Sequence, residues 1–216
     1  ISLPLIKENK KSKNLLTPKL SFRFNPSDMK NYSSTSRTIN PDNVWAINRL
    51  GLSDTFESGR SLTLGLNYSN ERKDNLDQIN NYFEMKLATV LRDKEEKFVP
   101  KASTLNKKNS NLFGSVTNDF SENFKIGYNF SLDNDFNSLE YNEIFTTLSN
   151  NNIVTNFNFI EENGERGDSN IFATEVEYNK DDKNFFSFKT RRNRKLNLTE
   201  FYDLIYEYKN DCLTAG

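Results

Sequence analysis

The chain has 216 residues, 29 basic against 30 acidic side chains for a net charge of -1, and a mean hydropathy of -0.78. So balanced a charge creates no global field to recruit nucleic acid or an anionic surface, and with no apolar run of about 18 residues no transmembrane helix can be drawn. Only 35% of residues are hydrophobic but 13% are aromatic, with 18 Phe and 9 Tyr. Disordered chains lack aromatics; a sheet with one wet and one greasy face supplies both properties.

Alternation of apolar and polar residues predicts strands along most of the chain. Ile1 to Ile6 opens the series and a basic polar link follows. Pro18 to Asn25 carries Leu20, Phe22 and Phe24 on one face, before an irregular stretch from Pro26 to Arg60. Ser61 to Ser69 sets Leu62, Leu64, Leu66 and Tyr68 against Ser61, Thr63, Gly65 and Asn67. Tyr82 to Arg92 comes next, then a second irregular stretch from Asp93 to Ser110.

From there the predicted strands crowd together: Asn111 to Phe120, Phe124 to Asp133, Ser138 to Leu148, Ile153 to Glu162, Ile171 to Asn179, Phe185 to Asn193 and Phe201 to Lys209. That makes about eleven, with a twelfth beginning at Cys212. Short turns at Ser121 to Asn123, Asn150 to Asn152, Lys180 to Lys183 and Lys209 to Asp211 alternate with longer loops at Pro26 to Arg60, Asp93 to Ser110, Glu162 to Asn170 and Arg194 to Glu200. The short Asn134 to Asn137 turn blurs that parity.

The greasy faces meet either a second sheet, as in a soluble sandwich, or lipid, as in an outer-membrane barrel. Successive hairpins without a Greek-key crossover favour an up-and-down arrangement. The fold expected is all-β: an antiparallel up-and-down transmembrane β-barrel, of which this chain supplies about 11 strands. Residues 1–216 are read as part of one barrel domain, an internal fragment that leaves two open edges.

With no His in the chain, no His-based triad, general base or metal site can be built from it. Glu161, Glu162 and Glu165, and again Asp181 and Asp182, read as solvated loop charge or a cation bridge to anionic sugar. Neither catalytic residue, metal site nor cofactor is assigned, and an enzyme is not expected. The most basic run is Lys189 to Lys195. Alternation sends Lys189 and Arg191 to one face and Arg192 and Arg194 to the other, where they read as a charged rim or as contacts to the phosphates and sugars of a glycolipid. Nucleic acid is not expected, since no aromatics interleave the basic face. Cys212, the single cysteine, reads as an inert thiol or as half of a disulfide with a cysteine elsewhere.

Two segments carry a resemblance. Asn48-Arg-Leu-Gly-Leu-Ser-Asp-Thr-Phe-Glu-Ser-Gly-Arg-Ser-Leu-Thr-Leu-Gly-Leu-Asn-Tyr68 and the tail from Arg192 to Gly216, with its Tyr-Lys-Asn-Asp-Cys212 element, are similar to stretches of the LptD (OstA/Imp) family, the lipopolysaccharide-assembly barrels of the Gram-negative cell outer membrane. The resemblance implies a larger kidney-shaped barrel of about 26 strands, preceded by a periplasmic domain and followed by last strands that this chain lacks. It implies insertion of lipopolysaccharide into the outer leaflet, with the plug lipoprotein LptE in the lumen, the bridge protein LptA reached through the N-terminal domain, and outer-membrane lipid around the barrel. By the same resemblance Cys212 is a disulfide candidate towards the N-terminal domain. Asn48, Arg49, Gly51, Asp54, Glu57 and Gly59 would form a structured loop folded against the lumen, with Arg49 paired to Asp54 or Glu57; a plain surface loop with a helical turn at Val44 to Leu50 is the other reading. A different outer-membrane barrel, receptor or porin, and a soluble β-rich binding module are the alternatives.

Overall fold

The computed structural model describes residues 1–73, 79–209 and 214–215. Its strands are β1 (Leu5–Glu8), β2 (Ser12–Asn25), β3 (Gly59–Lys73), β4 (Ile79–Arg92), β5 (Leu112–Ser121), β6 (Phe124–Leu132), β7 (Leu139–Asn150), β8 (Ile153–Glu162), β9 (Ser169–Asn179), β10 (Asn184–Asn193), β11 (Leu198–Lys209) and β12 (Thr214–Ala215). Each pairs antiparallel with its neighbours in sequence, forming one open 12-stranded sheet in the order β1 to β12. Among the described residues there is no α-helix, only three-residue 3-10 turns at Asn43–Trp45, Lys101–Ser103 and Gly164–Arg166. There is no second sheet to make a sandwich among those residues either.

The register sorts the side chains into two faces, because neighbours across strands lie on the same side of the pleat. On one face Ser21 meets Thr63, Thr63 meets Val90, Ala88 meets Phe113 and Phe113 meets Ser131. On the other Phe22 meets Leu62 and Leu62 meets Leu91. Antiparallel order also puts the connections 26–58, 93–111, 133–138, 163–168 and 194–197 at one end of the sheet, and 9–11, 122–123, 151–152 and 180–183 at the other. The short 133–138 connection, which blurs the parity in the sequence, falls at the long-loop end.

The face that the alternation leaves polar is the covered one. Its lid is made by the connections 26–58 and 93–111, whose Met29, Ile39, Val44, Leu50, Leu52, Val99 and Leu105 are buried together against Ala88, Val90 and Phe113 of β4 and β5. Among the described residues nothing covers the apolar face: Phe22 is 66% exposed and Leu204 76%. Leu148, Phe188 and Tyr202 are exposed along the same face. A water-soluble sheet buries the opposite face. Here most of the apolar cluster is carried by the loops and the polar rows by the strands.

Several strands are longer than the alternation predicts. β2 begins at Ser12, inside the expected polar link, because the Asn9 carboxamide accepts from the Lys11 and Ser12 amides at 2.9 and 2.8 Å and turns the chain there. β3 continues through Asn70, Glu71 and Arg72, which lack any apolar alternation but pair with β2 and β4. β1 starts at Leu5 rather than Ile1, although the Ile1 carbonyl already accepts from Leu20 at 2.9 Å. β12 is Thr214–Ala215, paired to Lys209 and Tyr208. Cys212, where that strand was expected to begin, lies outside the described residues.

Candidate functional site

The connection 26–58 leaves β2 at Asn25 and returns at Gly59, the next position across the ladder. A connection of this length with no strand and only one three-residue 3-10 segment of its own is uncommon in a packed domain and usually carries function. It is pinned to the polar face at three points. The Trp45 ring lies over Gly65 of β3, where a Cβ would stand 2.5 Å from the indole and 2.8 Å from the Leu87 carbonyl oxygen, so only glycine admits this approach. Lys86 of β4 reaches Asp42 at 3.0 Å. The third point is a buried ionic cluster.

In that cluster Arg49 donates from Nε to Glu57 Oε2 at 2.7 Å and from Nη2 to Glu57 Oε1 at 2.5 Å, a two-pronged pair that fits guanidinium to carboxylate. The remaining Arg49 donors reach Thr63 Oγ1 and Ser61 Oγ, both at 3.1 Å. Arg92 of β4 donates to the same carboxylate and to the Ser58 carbonyl oxygen. Arg23 of β2 stands 3.8 Å from Glu57 and donates to the Ala46 and Ile47 carbonyls at 2.7 Å each. Side-chain exposure is 0% for Arg49, 1% for Arg92 and 4% for Glu57. Burial pushes the Glu57 carboxyl up, but the Arg49 hydrogen bonds and the Arg49, Arg92 and Arg23 charges outweigh it and hold the group below the ordinary carboxylate range.

Other residues of the motif shape the loop. The Asn48 side chain accepts from the Leu52 amide at 2.9 Å and donates to the Leu52 carbonyl oxygen at 2.7 Å, closing a turn. Gly51 occupies that turn at φ +60, a conformation side chains rarely adopt, with Arg37 Nη1 in the space a Cβ would fill. Asp54 does not pair with Arg49; it accepts from Lys30 and, at 2.5 Å, from the Tyr32 hydroxyl, tying the return arm of the loop to its outgoing arm. Lys30 first and then Tyr32 hold the Asp54 carboxyl below its ordinary value. Gly59 opens β3 beside Arg92.

The loops also hold one another. Ser58 donates to Glu96 at 2.8 Å and the Tyr32 amide to the Phe98 carbonyl oxygen at 2.9 Å. From the connection 163–168, Arg166 donates to the Ile39 carbonyl oxygen at 2.8 Å and stacks on Tyr141 with its Cζ 4.9 Å from the ring centre. Burial draws the Arg166 guanidinium below its ordinary value against the opposing pull of Tyr141, Glu162 and Glu140. Between Thr38–Asp42 and the strands lies a polar cavity of about 220 Å³, lined by Asn129, Tyr141, Glu143, Glu162 and Arg166 among others. Polar cavities large enough for several waters are ordinarily hydrated.

Beyond the loops the same face lies open over β8 to β11, as a groove of about 490 Å³ between Phe145 and Phe201 with Asn156, Asn158, Glu175, Lys189 and Arg191 along it. The basic run divides as alternation predicts. Lys189 faces the groove and pairs with Glu175 at 2.5 Å, and Arg191, on the same face, pairs with Glu200 at 2.8 Å. Arg192 takes the bare face, and Arg194 leaves the strand with its Cζ 6.0 Å from the Phe159 ring. The structure therefore does not join these four cations into one site.

Arg23 and Arg92 are members of the buried cluster that sequence reasoning missed. The available signal was charge at the loop end of the polar phase on two strands flanking Ser61, namely Ser21-Phe-Arg23 and Val90-Leu-Arg92. The acidic candidates do not converge: Glu161 accepts from Asn142 at 3.0 Å, Glu165 pairs with Lys107 at 3.6 Å, and Asp181 accepts from the Lys183 and Asn184 amides. Among the described residues no three acidic or cysteine side chains gather to hold a metal ion. A scan of the chain against protein-family models returns no match, and neither does a search of curated proteins.

Proposed function

We propose that this chain is part of an outer-membrane β-barrel that moves lipopolysaccharide to the outer leaflet. The observation that carries the membrane half of this reading is the inversion of the sheet: the polar rows lie under folded-in loops while the apolar rows stand bare. A lipid-facing strand needs that arrangement, with its polar side turned towards a lumen. Long connections at one end and short turns at the other fit extracellular and periplasmic sides. The lipopolysaccharide half rests on the LptD-like segments, in which the Asn48 to Gly59 motif is the loop now seen folded against the polar face. The cargo needs a dry path for its acyl chains and a wet one for its sugars, and two-faced strands separate the two without covalent chemistry. In this reading LptE and LptA act as partners, LptA through the N-terminal domain, and the open groove over β8 to β11 is polar surface left for LptE or for sugar.

Two measurements on the full-length protein test the halves separately. Val116 on the bare face and Thr117 on the covered face are adjacent, so Val116→Arg should cost about 2–4 kcal/mol in membrane-embedded stability near the bilayer centre and Thr117→Arg close to nothing. Equal effects, or release of the protein from membranes by carbonate without detergent, would reject the barrel. Depletion of the protein from cells should then lower lipopolysaccharide at the surface. Unchanged surface lipopolysaccharide with the barrel result intact would leave a receptor or porin instead.

A further inference from the structure

The bare face ends, at the loop side of β8 to β10, in a small amphiphilic patch. Phe159 pairs across to Phe172, and Phe172 to Arg192, so the three side chains form a row over β8, β9 and β10. Phe157 packs edge-on against Phe172 at 4.8 Å and 76°, thickening the apolar part. Arg194 follows from the connection beyond β10 and lies over Phe159. Two guanidinium groups thus cap three phenylalanine rings where the sheet meets its loops.

Their charge is uncompensated. Lys189 and Arg191 spend theirs on Glu175 and Glu200, and Lys195 pairs with Asp168, but among the described residues Arg192 and Arg194 form no ion pair. Arg192 donates only to the Asn197 carboxamide, at 2.6 Å. Glu161, in the next row towards the loops, accepts from the Asn142 and Asn170 carboxamides and, among the described residues, forms no ion pair with either arginine. Asn170 itself keeps a buried carboxamide oxygen with no partner, beside the Arg194 amide that donates to its backbone carbonyl. The other flank of the same face offers a contrast. Arg60 also sits over an outward ring, that of Phe24, but is neutralised by Asp93 at 3.6 Å.

We infer that this patch seats a phosphorylated glycolipid, with acyl chains along Phe157, Phe159 and Phe172, phosphate on Arg192 and Arg194, and sugar hydroxyls on Asn170 and Asn197. Paired guanidinium forks match phosphate oxygens and hold charge at a membrane boundary while their stems stay on apolar surface. The amides beside them favour a sugar headgroup, with its ring of hydroxyls, over a glycerol phosphodiester, which offers only two on a flexible chain. The inference rests on the bare face meeting lipid, as proposed above, but makes a claim of its own about the β8 to β10 rim.

Native mass spectrometry of the full-length protein in detergent tests it, with three probes: bis-phosphorylated lipid A, the same lipid with its phosphates removed, and phosphatidylglycerol. Lipid A should remain bound to the wild type, and R192A/R194A should bind it about tenfold more weakly, as loss of charge-assisted hydrogen bonds predicts. R192K/R194K, which keeps the charge and the fold but loses the forks, should fall in between. Arg60→Ala should match the wild type. Equal lipid A binding by R192A/R194A and the wild type, or equal binding of the dephosphorylated lipid, overturns the site while leaving the barrel standing. Phosphatidylglycerol binding as tightly as lipid A overturns the glycolipid assignment. A protein that stays soluble without detergent fails the barrel reading instead, so the two failures are told apart.

Discussion

The covered face of the sheet is built in two ways. Between β2 and β5 its charges are sealed beneath residues 26–58 and 93–111, and one carboxylate serves three guanidinium groups. Between β8 and β11 the same polar phase is open, and its charges meet as accessible pairs: Lys189 is 41% exposed and Glu175 28%. Identical alternation thus yields two energetic regimes. A sealed ion cluster is strongly destabilised when one member is removed, whereas an open pair is worth little because water and salt compete for it.

The sharpest way to break this contrast is Glu57→Gln. It leaves buried guanidinium groups uncompensated and should cost about 3–5 kcal/mol, read as a lower denaturant midpoint and as protease nicking within residues 26–58. An effect no larger than that of Glu175→Gln would erase the distinction. Leu105→Ala, in the loop cluster where Leu105 is fully buried, should cost about 3 kcal/mol by the same unfolding measurement. Leu204→Ala, on the bare face, should change stability in detergent by less than about 0.5 kcal/mol.

Acid should separate the regimes as well. The folded-state pKa of Glu57 lies below its unfolded value, so its contribution is complete at pH above the ordinary carboxylate range and is lost as the pH falls through the folded value. Protease access to residues 26–58 should therefore rise in acid in the wild type, and Glu57→Gln should already show that access at neutral pH. Glu175→Gln should cost little, about 0–1 kcal/mol, and less as salt is added.

Where side chains alternate, the fold was legible. β8 spans Ile153–Glu162 as its alternation predicts, and β6 differs from its predicted span by one residue. The lower parts of β2 and β3 were not, because Lys13-Asn14 and Asn70-Glu71-Arg72 have no apolar phase; their strand geometry comes from backbone partners on both sides. The loop core was hidden for a similar reason. Val44, Leu50, Leu52, Val99 and Leu105 follow neither a period of two nor one of 3.6, and only their shared cover over β4 and β5 makes them a cluster. The Arg49 to Glu57 pair could be anticipated from opposite charges in one connection. That Arg92 completes it depends on a strand register no local pattern contains.

The neighbour-by-neighbour order of the sheet bears on how the chain is put together. Joining β5 to β6 or β7 to β8 closes only 122–123 or 151–152, whereas joining β2 to β3 must close 26–58, at an added chain-entropy cost of about 2 kcal/mol. The segment from β5 to β11 should accordingly zip first, hairpin after hairpin, with a growing edge as the template for the next strand. The two long connections then act as late clasps: burying their apolar residues offsets the entropic cost of closing them and docks β2 and β3 onto a sheet that already exists.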